Sequence, residues 1–350
     1  MARKGSLHGL SVVWRSQVGA HIQMHGPWAY PSCSHSAHAA STTPHEVSTP
    51  PPRPNGVIET PVLIVGAGPV GVYLSVLLSR FGVASTVVDK RPASSMPGSP
   101  GAGEGEYSHP RAHVLHARTM ELLREIGLED RVYEAMPPIE MWKYFRSSSI
   151  DQTPALPFSP QPARSHRGAR RYGTSLLGEE IAAVDHCDNA DGAAENIRRH
   201  SPSFVAHLSQ PVLEDLLMRA ARRPPAHAPA PTFLHELELS GLVGGGARTE
   251  AVFRGAKGGA EVRVRAEWVV GADGARSRAR ELCGIASEGG RGLERFHSVH
   301  FRCPALLERL AGRGAMLFFT FNAASIACVV AHDLRKGEWV AQVRPSPPFA

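Results

Sequence analysis

The sequence predicts an α/β protein whose first domain is of the three-layer ββα type, built on a parallel sheet, with an inserted or adjacent second sheet that is mixed and largely antiparallel. Three observations predict this fold class. Residues 62–89 contain an apolar run, a glycine-rich turn, a helical run and a second apolar run. A later apolar run ends in the tetrapeptide at 271–274, and strand candidates recur at regular spacing between residues 296 and 343. Alternating strands and helices favour parallel pairing, whereas closely spaced strands favour antiparallel pairing.

The first unit of the chain reads strand, turn, helix, strand. Val62–Val65 is short and apolar, as in a buried strand, and Gly66–Gly71 follows it directly with the sequence Gly-Ala-Gly-Pro-Val-Gly. A charge-free helical run continues to Leu78, and the second strand, Thr86–Val88, ends at Asp89. This order is typical of a dinucleotide site with Rossmann-like topology. A Gly-rich turn in another kind of α/β protein is the alternative.

Each part of this pattern has a physical role. Gly66 permits a tight turn, Gly68 lets the backbone approach a pyrophosphate, and Gly71 lets the helix pack closely on the strand. Pro69–Val70 opens the helix, whose free N–H groups and partial positive charge favour phosphate. Asp89 lies about twenty residues beyond the glycines, where a carboxylate accepts hydrogen bonds from ribose hydroxyls.

Two further helices follow from local signals. Ala117–Ile126 has apolar residues at helical spacing, and Gly127 is a natural helix end. A short strand at 204–208 leads into a helix that begins at Gln210, with proline tolerated in its first turn.

The second half of the sequence is rich in strand signals. Three short strands with Gly-rich turns extend to about residue 265, and the strand at 267–271 ends in the turn that contains Asp273 and Gly274. A short Arg-rich helix follows this turn. The remaining strand candidates are 296–302, 315–321, 325–331 and 338–343.

These elements divide the chain into three parts. Residues 1–56 are rich in Ser, His, Ala and Pro and form a disordered tail or a transit peptide, unless the start is incorrectly assigned. Residues 57–285 form the dinucleotide-binding domain, with insertions at about 93–108 and 145–200. Residues 286–350 form part of the second sheet.

Composition excludes several classes of function. The net charge is +6, and residues 1–56 supply about half of it, with four basic residues against one acid. No basic stripe interleaved with aromatic residues is present, so nucleic-acid binding has little support. Three glycines and a proline interrupt the charge-free segment 61–79, which excludes a membrane span, and no histidine or cysteine spacing predicts a metal site. Five scattered cysteines indicate an intracellular protein, mitochondrial or in another organelle if residues 1–56 target it, and otherwise cytoplasmic.

Four motifs occur in one order along the chain: the glycine turn at 66–71, His-Pro-Arg-Ala at 109–112 before its helix, the helix start at 209–214, and Gly-Ala-Asp-Gly-Ala at 271–275. Together they resemble the class A flavoprotein monooxygenases of the aromatic-ring hydroxylase type, nearest the phenol and chlorophenol hydroxylases. The resemblance covers about Thr60 to Val343.

The resemblance implies FAD as the dinucleotide and NAD(P)H as a co-substrate. The glycine turn would hold the pyrophosphate, and Asp89 the adenosine ribose. Arg111 would approach the phosphate and ribitol, where a guanidinium can bind phosphate oxygens in pairs. Gln210 would contact the cofactor, and the Asp273–Gly274 turn is linked in the family to both FAD and NAD(P)H. The implied cofactor-binding residues are Gly66, Gly68, Pro69, Val70, Gly71, Asp89, Lys90, Arg111, Gln210, Asp273 and Gly274.

Several of these assignments have a structural alternative. Arg111 is also consistent with a surface arginine at a helix start, and Gln210 with an ordinary polar residue at a helix N-terminus. Asp-Gly is a common turn dipeptide, so residues 273–274 alone are not specific. Arg276 and Arg280, beside that turn, are helix-surface charges or contacts for the phosphates of the nicotinamide cofactor.

The implied reaction is the hydroxylation of a phenolic or other aromatic small molecule by dioxygen, through a flavin hydroperoxide. A protein base would help to deprotonate a phenol. The sequence identifies no catalytic residue, and Tyr172 and His300 are candidates for that base or structural residues. It also leaves the oligomeric state open.

The sequence departs from the resemblance at its C-terminal end. The family has a further Gly-Asp motif beyond the middle sheet, and none follows Asp273–Gly274 here. The expectation is a C-terminally truncated chain whose activity is uncertain. The alternatives are a catalytically inactive flavin-binding protein, or another flavin monooxygenase or epoxidase of the same fold.

Overall fold

The structure is a computed structural model, and all statements below concern the part of the chain that it describes. That part comprises residues 11–12, 56–96, 112–138, 144–149, 172–173, 175–177, 179–185, 199–244, 247–255, 258–259, 261–290, 292–310, 313–321 and 326–344.

The described residues form sixteen strands, six α-helices and one short 3-10 turn at Ala93–Ser95. In chain order the strands and α-helices are β1 (Ser11–Val12), β2 (Val57–Val65), α1 (Pro69–Arg80), β3 (Ser85–Val88), β4 (Val114–Leu115), α2 (Ala117–Glu125), α3 (Glu129–Ala135), β5 (Tyr144–Ser149), β6 (Tyr172–Gly173), β7 (Glu179–Asp185), β8 (Ala206–His207), α4 (Gln210–Arg222), β9 (Thr232–Leu234), β10 (Leu237–Gly244), β11 (Thr249–Gly255), β12 (Glu261–Gly271), α5 (Arg278–Leu282), β13 (His297–Arg302), α6 (Pro304–Leu310), β14 (Leu317–Phe321), β15 (Ile326–Asp333) and β16 (Glu338–Arg344).

The first sheet contains the expected parallel core. Its strand order is β10-β11-β12-β2-β3-β9, and β1 also pairs with β12. The pairs β12–β2, β2–β3 and β3–β9 are parallel, whereas β10–β11 and β11–β12 are antiparallel. The antiparallel strands form a β-meander that continues the same sheet, and its apolar side chains pack against one face of the parallel core.

Both faces of the parallel core are buried. Ile64 and Val87 face one side and pack with apolar residues of α1, α2 and α4. Leu63 and Val65 face the other side and pack with residues of the β-meander, including Phe253. This arrangement of helices, parallel sheet and meander confirms the predicted α/β fold of the three-layer ββα type. It also explains why the second half of β2, Val62–Val65, is a continuous apolar run instead of an alternating one.

The second sheet is mixed and largely antiparallel, as the sequence predicted. Its strand order is β13-β16-β15-β14-β5-β6-β7, and only the pair β14–β5 is parallel. The fully buried Trp339 packs with Phe318, Val329 and residues of α6 to form its core.

Two features of the sheets differ from the sequence-based expectation. The stretch 145–200, expected as an insertion in the first domain, contributes β5, β6 and β7 to the second sheet. The third short strand before residue 265 and the strand at 267–271 are one continuous strand, β12. Pairing across sequence distance caused both differences: β5 lies beside β14, and β12 is held between β11 and β2 along its length.

A two-stranded ribbon lies between the two sheets. It consists of β4 and β8, which pair antiparallel, with Val114 opposite His207. Leu208 N donates to His113 O at 2.8 Å and Gln210 N to Ala112 O at 3.0 Å, so the ribbon leads directly into α4.

Among the described helices, none combines the length and the apolar character that crossing a membrane requires.

The burial of β2 gives a direct test of the core. Ile64→Ala deletes a side chain that is 0% exposed. We expect it to lower the free energy of unfolding by about 2–5 kcal/mol, because the loss of transfer free energy adds to the cost of a cavity. Urea denaturation followed by circular dichroism measures the change.

Val243→Ala is the control, since Val243 is 59% exposed on β10. We expect a change within about 0.5 kcal/mol there. Equal effects of the two substitutions would contradict the burial described for β2.

Candidate functional site

The carboxyl ends of three neighbouring parallel strands carry the residues predicted to bind a dinucleotide. Gly66 follows β2, Asp89 follows β3, and Asp273 lies two residues beyond β12. In the sheet register Val65 lies opposite both Val88 and Gly271, so all three strands end at the same edge. Ligands of open α/β sheets bind at this edge.

Two glycines of the turn are required by backbone contacts. Gly66 has φ +107, and a Cβ there would lie 2.4 Å from the carbonyl oxygen of Ala272. A Cβ on Gly71 would lie 1.9 Å from the carbonyl oxygen of Gly66. Any larger residue would therefore force the turn away from α1 or from the end of β12.

The third glycine of the turn faces open space. A Cβ on Gly68 would meet no atom within 4 Å, and its φ of −73 is accessible to any residue. Gly68 is the N-cap of α1, which begins with Pro69 and Val70, and Val70 is 38% exposed. The N–H groups of the first helical turn thus face an accessible surface, which is suited to an anion.

Asp89 is buried and accepts hydrogen bonds from both sides. Its Oδ2 accepts from Ala67 N at 2.7 Å, and its Oδ1 accepts from Arg91 N at 2.8 Å and Arg91 Nε at 3.0 Å. Burial raises the pKa of Asp89, but the hydrogen bonds and charge of Arg91, together with Ala67 N–H, outweigh it and hold the pKa below its ordinary value. Arg91 Nη2 also lies 3.3 Å from Oδ2. The carboxylate is thus ionised at neutral pH.

Arg91 extends this network to the next helix. Its guanidinium donates to Ala67 O at 3.0 Å and reaches Glu214 Oε2 at 3.4 Å. Glu214 Oε1 accepts from Gln210 Nε2 at 2.7 Å. A continuous set of hydrogen bonds therefore connects Asp89, at the expected ribose position, with Gln210 at the start of α4.

The Asp273–Gly274 turn closes the site beside Gly66. Asp273 Oδ2 accepts from Ala279 N at 3.0 Å, in the first turns of α5. Within the described part of the chain, Asp273 Oδ1 is buried and has no hydrogen-bond partner. Gly274 has φ +84, which favours glycine, and its surroundings are open.

Other predicted residues lie further from these contacts. Lys90 is exposed, and its Nζ lies 3.6 Å from Glu238 Oε1. Arg111 lies outside the described residues, as does the side chain of Tyr172. Arg280 donates to Ala275 O at 2.9 Å, which agrees with the surface-charge alternative.

His300, a candidate for the base, lies on the edge strand β13. Its Nε2 is 2.9 Å from Glu338 Oε1 of the neighbouring strand in the same sheet.

Two residues of the site carry no predicted role from the sequence. Arg91 follows the acid of the dinucleotide pattern by two positions, and Glu214 follows Gln210 by one helical turn. The i,i+4 spacing of Gln210 and Glu214 was a usable signal. No local signal connects either of them with Arg91, because that contact spans 123 residues of sequence.

The site fits a dinucleotide cofactor. The open face at Gly68 leaves room for a pyrophosphate at the start of α1. The ionised carboxylate of Asp89 lies at the position expected for a ribose acceptor, and Asp273 Oδ1, which has no partner among the described residues, lies at the same sheet edge.

Comparison with known proteins agrees with a dinucleotide cofactor. The chain matches the family model described as "FAD binding domain" over residues 59–348. It is 29% identical over 265 residues to 4-methyl-5-nitrocatechol 5-monooxygenase of a Burkholderia species, a match that covers 76% of this chain and 40% of that protein. It is 26% identical over 269 residues to 2,4-dichlorophenol 6-monooxygenase of Delftia acidovorans, covering 77% of this chain and 39% of that protein.

Solved structures show the same likeness. The flavin-dependent monooxygenase PieE, in complex with FAD and substrate, has a TM-score of 0.65 and 26% identity, covering 84% of this chain and 44% of that chain. Aklavinone-11 hydroxylase, in a ternary complex with FAD and aklavinone, has a TM-score of 0.60 and 26% identity, covering 84% of this chain and 47% of that chain. These matches confirm the predicted resemblance to flavin monooxygenases. The chain spans less than half the length of the relatives that it matches.

Alanine substitutions at two glycines separate folding from ligand binding. Gly68→Ala adds a methyl group to open space, so we expect an unchanged melting temperature. We expect its affinity for FAD to fall by about tenfold or more, because the methyl group blocks approach of a pyrophosphate. Gly71→Ala places a methyl group against the Gly66 carbonyl, so we expect a loss of stability that is large for a single substitution, above about 3 kcal/mol.

Thermal unfolding and titration of flavin fluorescence measure the two effects. Tight FAD binding by Gly68→Ala at unchanged stability would mean that the pyrophosphate does not lie against this turn.

The lowered pKa of Asp89 gives a prediction for pH dependence. An acid whose pKa is lowered on folding stabilises the protein above its unfolded pKa, and this contribution is lost as the pH falls through the folded value. We therefore expect Asp89→Asn to cost a constant amount from pH 8 to pH 5, about 1–3 kcal/mol, with the difference shrinking only below the ordinary value of 3.8.

Chemical denaturation at several pH values measures this cost, and Lys90→Gln, at an exposed neighbouring charge, is the control. A difference that vanishes between pH 6 and pH 5 would instead indicate a raised pKa of Asp89.

Proposed function

The chain belongs to the FAD binding domain family, and from this premise we propose that it serves an FAD-dependent monooxygenase that hydroxylates a phenolic or related aromatic small molecule. The observation that carries the proposal is the convergence of the glycine turn, Asp89 and the Asp273–Gly274 turn at one sheet edge. Hydrogen bonds connect Asp89, at the end of β3, with Gln210, at the start of α4. The site therefore extends between two separate elements, which suits a long cofactor with an adenosine end and a flavin end.

The adenosine half of FAD would lie over the ends of β2 and β3. Gly66–Gly71 and the first turn of α1 would receive the pyrophosphate on backbone N–H groups. Asp89 would accept hydrogen bonds from the ribose hydroxyls, and the exposed side chain of Lys90 would flank this end.

The flavin half would extend toward the ribbon and α4. Asp273 would accept a hydrogen bond from the ribityl chain on the oxygen that has no partner among the described residues. Gly274 would allow close approach of the cofactor, since its surroundings are open. Gln210 and Arg111 would contact the flavin side, with Arg111 assigned by the resemblance alone.

The second sheet would supply the substrate side. The relatives reported above carry the names of nitrocatechol and dichlorophenol monooxygenases, and a third is named phenol 2-monooxygenase. All three names denote phenolic rings, which supports a phenolic substrate. We assign residues 57–285, apart from β5–β7, to cofactor binding, and β5–β7 together with residues 286–350 to the substrate side.

FAD, when bound, supplies the redox chemistry and the activation of dioxygen, with NAD(P)H as the reductant. The residues of this chain would bind and orient the cofactor and keep Asp89 ionised through Arg91. Among the described residues no base for the phenol is assigned. An intracellular location remains a prediction, as does the assignment of residues 1–56 to a tail or transit peptide, within which Ser11–Val12 pairs with β12.

The proposal is tested with the purified full chain. We expect addition of FAD to give a protein with the bound-flavin absorbance spectrum and quenched flavin fluorescence. With NADH or NADPH and a panel of phenols, we expect nicotinamide oxidation that is coupled to hydroxylated product, which chromatography with mass spectrometry detects.

Other outcomes select the alternatives. Flavin binding with nicotinamide oxidation that yields only hydrogen peroxide would favour a flavin-binding protein that does not hydroxylate. A colourless protein that ignores added FAD would overturn the proposal.

A further inference from the structure

Three histidines meet where the ribbon contacts the second sheet. His113 directly precedes β4, His207 belongs to β8, and His332 belongs to β15. His207 is 1% exposed and His332 is 2% exposed. The cluster therefore joins the ribbon that leads to Gln210 to the sheet proposed for the substrate side.

Hydrogen bonds run from the ribbon to the sheet through two of these rings. His113 Nδ1 lies 3.1 Å from His207 Nδ1, and His207 Nε2 lies 2.7 Å from the carbonyl oxygen of Ala331 in β15. The His113 ring also stands edge-on to both others, with ring centroids 5.0 Å from His207 and 5.3 Å from His332.

The chemistry of these contacts fixes the protons of a neutral pair. A carbonyl oxygen only accepts, so His207 Nε2 must carry the proton that it donates to Ala331. Neutral His207 then has an unprotonated Nδ1, which accepts. His113 must therefore donate from a protonated Nδ1. Both rings carrying a positive charge would remove this acceptor and place two charges about 3 Å apart.

Burial supports the neutral state. Burial, and then the rings of His207 and His332, lower the pKa of His113 from 6.5 to about 3. Burial lowers the pKa of His207 to about 4, although carbonyl groups of Ala331, His332 and His113 and the charge of Asp333 act in the opposite direction. Asp333 is itself paired with Arg335, at 3.2 Å.

The remaining contacts of this junction do not depend on the histidines. Val205 and Met316 are buried and pack with Val114 and Leu317 across it. Arg335 donates to the carbonyl of Ala135 at 3.3 Å. Loss of the histidine bonds would therefore loosen the junction without separating the two parts of the fold.

We propose that His113 and His207 are positioning residues: as a neutral hydrogen-bonded pair they clamp β15 onto the ribbon that leads to Gln210, and their protonation releases the clamp. The effect on cofactor binding rests on the proposed function, in which Gln210 contacts FAD. The clamp itself does not, because its contacts lie within the protein.

The direction of the pH dependence follows from linkage. A histidine whose pKa is lowered in the closed clamp stabilises that clamp fully above the ordinary value of 6.5. As the pH falls below this value, the two histidines become protonated in the open form but stay neutral in the closed form. Each histidine then shifts the ratio of open to closed by roughly tenfold per pH unit, until the closed form itself protonates.

Two substitutions remove the titration while each retains one hydrogen bond. His113→Asn keeps an amide donor near the position of Nδ1. His207→Gln keeps a donor near the position of Nε2, toward Ala331. His116→Gln is the matched control, because His116 is exposed and only three residues from His113.

The first measurement is nitrogen NMR of histidine rings labelled with ¹⁵N in the full chain, from pH 8 to pH 5. Among the rings that stay neutral throughout, we expect one protonated at Nε2, whose signal His207→Gln removes, and one protonated at Nδ1, whose signal His113→Asn removes. Titration of both rings near 6.5 in the folded protein would overturn the proposal. This measurement needs no cofactor, so it stands even if the chain does not bind FAD.

The second measurement is FAD affinity from pH 8 to pH 4. We expect the wild type to hold its affinity from pH 8 to pH 5, where both rings stay neutral, and to lose it below pH 5 with a limiting slope of up to about 100-fold per pH unit. Each single variant should have a shallower slope and the double variant a nearly flat profile, with His116→Gln like the wild type. An acid loss in the double variant equal to that of the wild type would overturn the proposed coupling.

Discussion

The close approach of three backbone segments at the end of β2 is the constraint on which the site depends. Gly66 lies against Ala272, and Gly71 lies against the carbonyl of Gly66, at distances that exclude any side chain. These contacts bring the turn, the start of α1 and the end of β12 together. They are made by backbone atoms alone, so they fix the geometry irrespective of how the surrounding side chains move. The ligand-binding groups can therefore be few and widely separated in sequence.

Beside these backbone contacts lie buried charged side chains, and each of them needs a partner of opposite charge or a hydrogen-bond donor. Asp89 and Glu214 are both buried, and a buried carboxylate without partners is strongly unfavourable. Arg91 lies between them and satisfies both, and Ala67 N–H adds a backbone donor to Asp89. The same contacts that compensate the charges also define how the site is oriented, because each partner holds the next in one rotamer. Compensation of charge and positioning of the ligand groups are thus one arrangement.

The sequence predicted the parts of the fold whose signals are local. The order of β2, α1 and β3, the helix that begins at Gln210, and the four strands after residue 296 each follow from periodicity, glycine or a helix cap within a few residues. The sequence did not predict β5–β7. β5 pairs with β14, which lies more than a hundred residues away, and β6 and β7 join the sheet through β5. For the same reason it predicted Asp89 and Gln210 as candidate contacts without the Arg91 that connects them. The role of a residue at the site can be predicted from its neighbours in sequence only where the backbone itself makes the contact, as at the glycine turn.

The histidines show that the number of residues of one type in a sequence does not reveal which of them have a special role. Eighteen are present, and as single residues in a sequence they indicate only ordinary surface or core positions. His113 and His207 differ because β4 and β8 pair across more than ninety residues, and the second sheet supplies Ala331 as an acceptor. The direction of the hydrogen bonds then follows from the carbonyl, which only accepts, so the protonation state is set by the fold and not by either ring alone. A titratable pair at a junction between two sheets has a different consequence from one in a single core, because its protonation alters how the sheets meet while each remains folded.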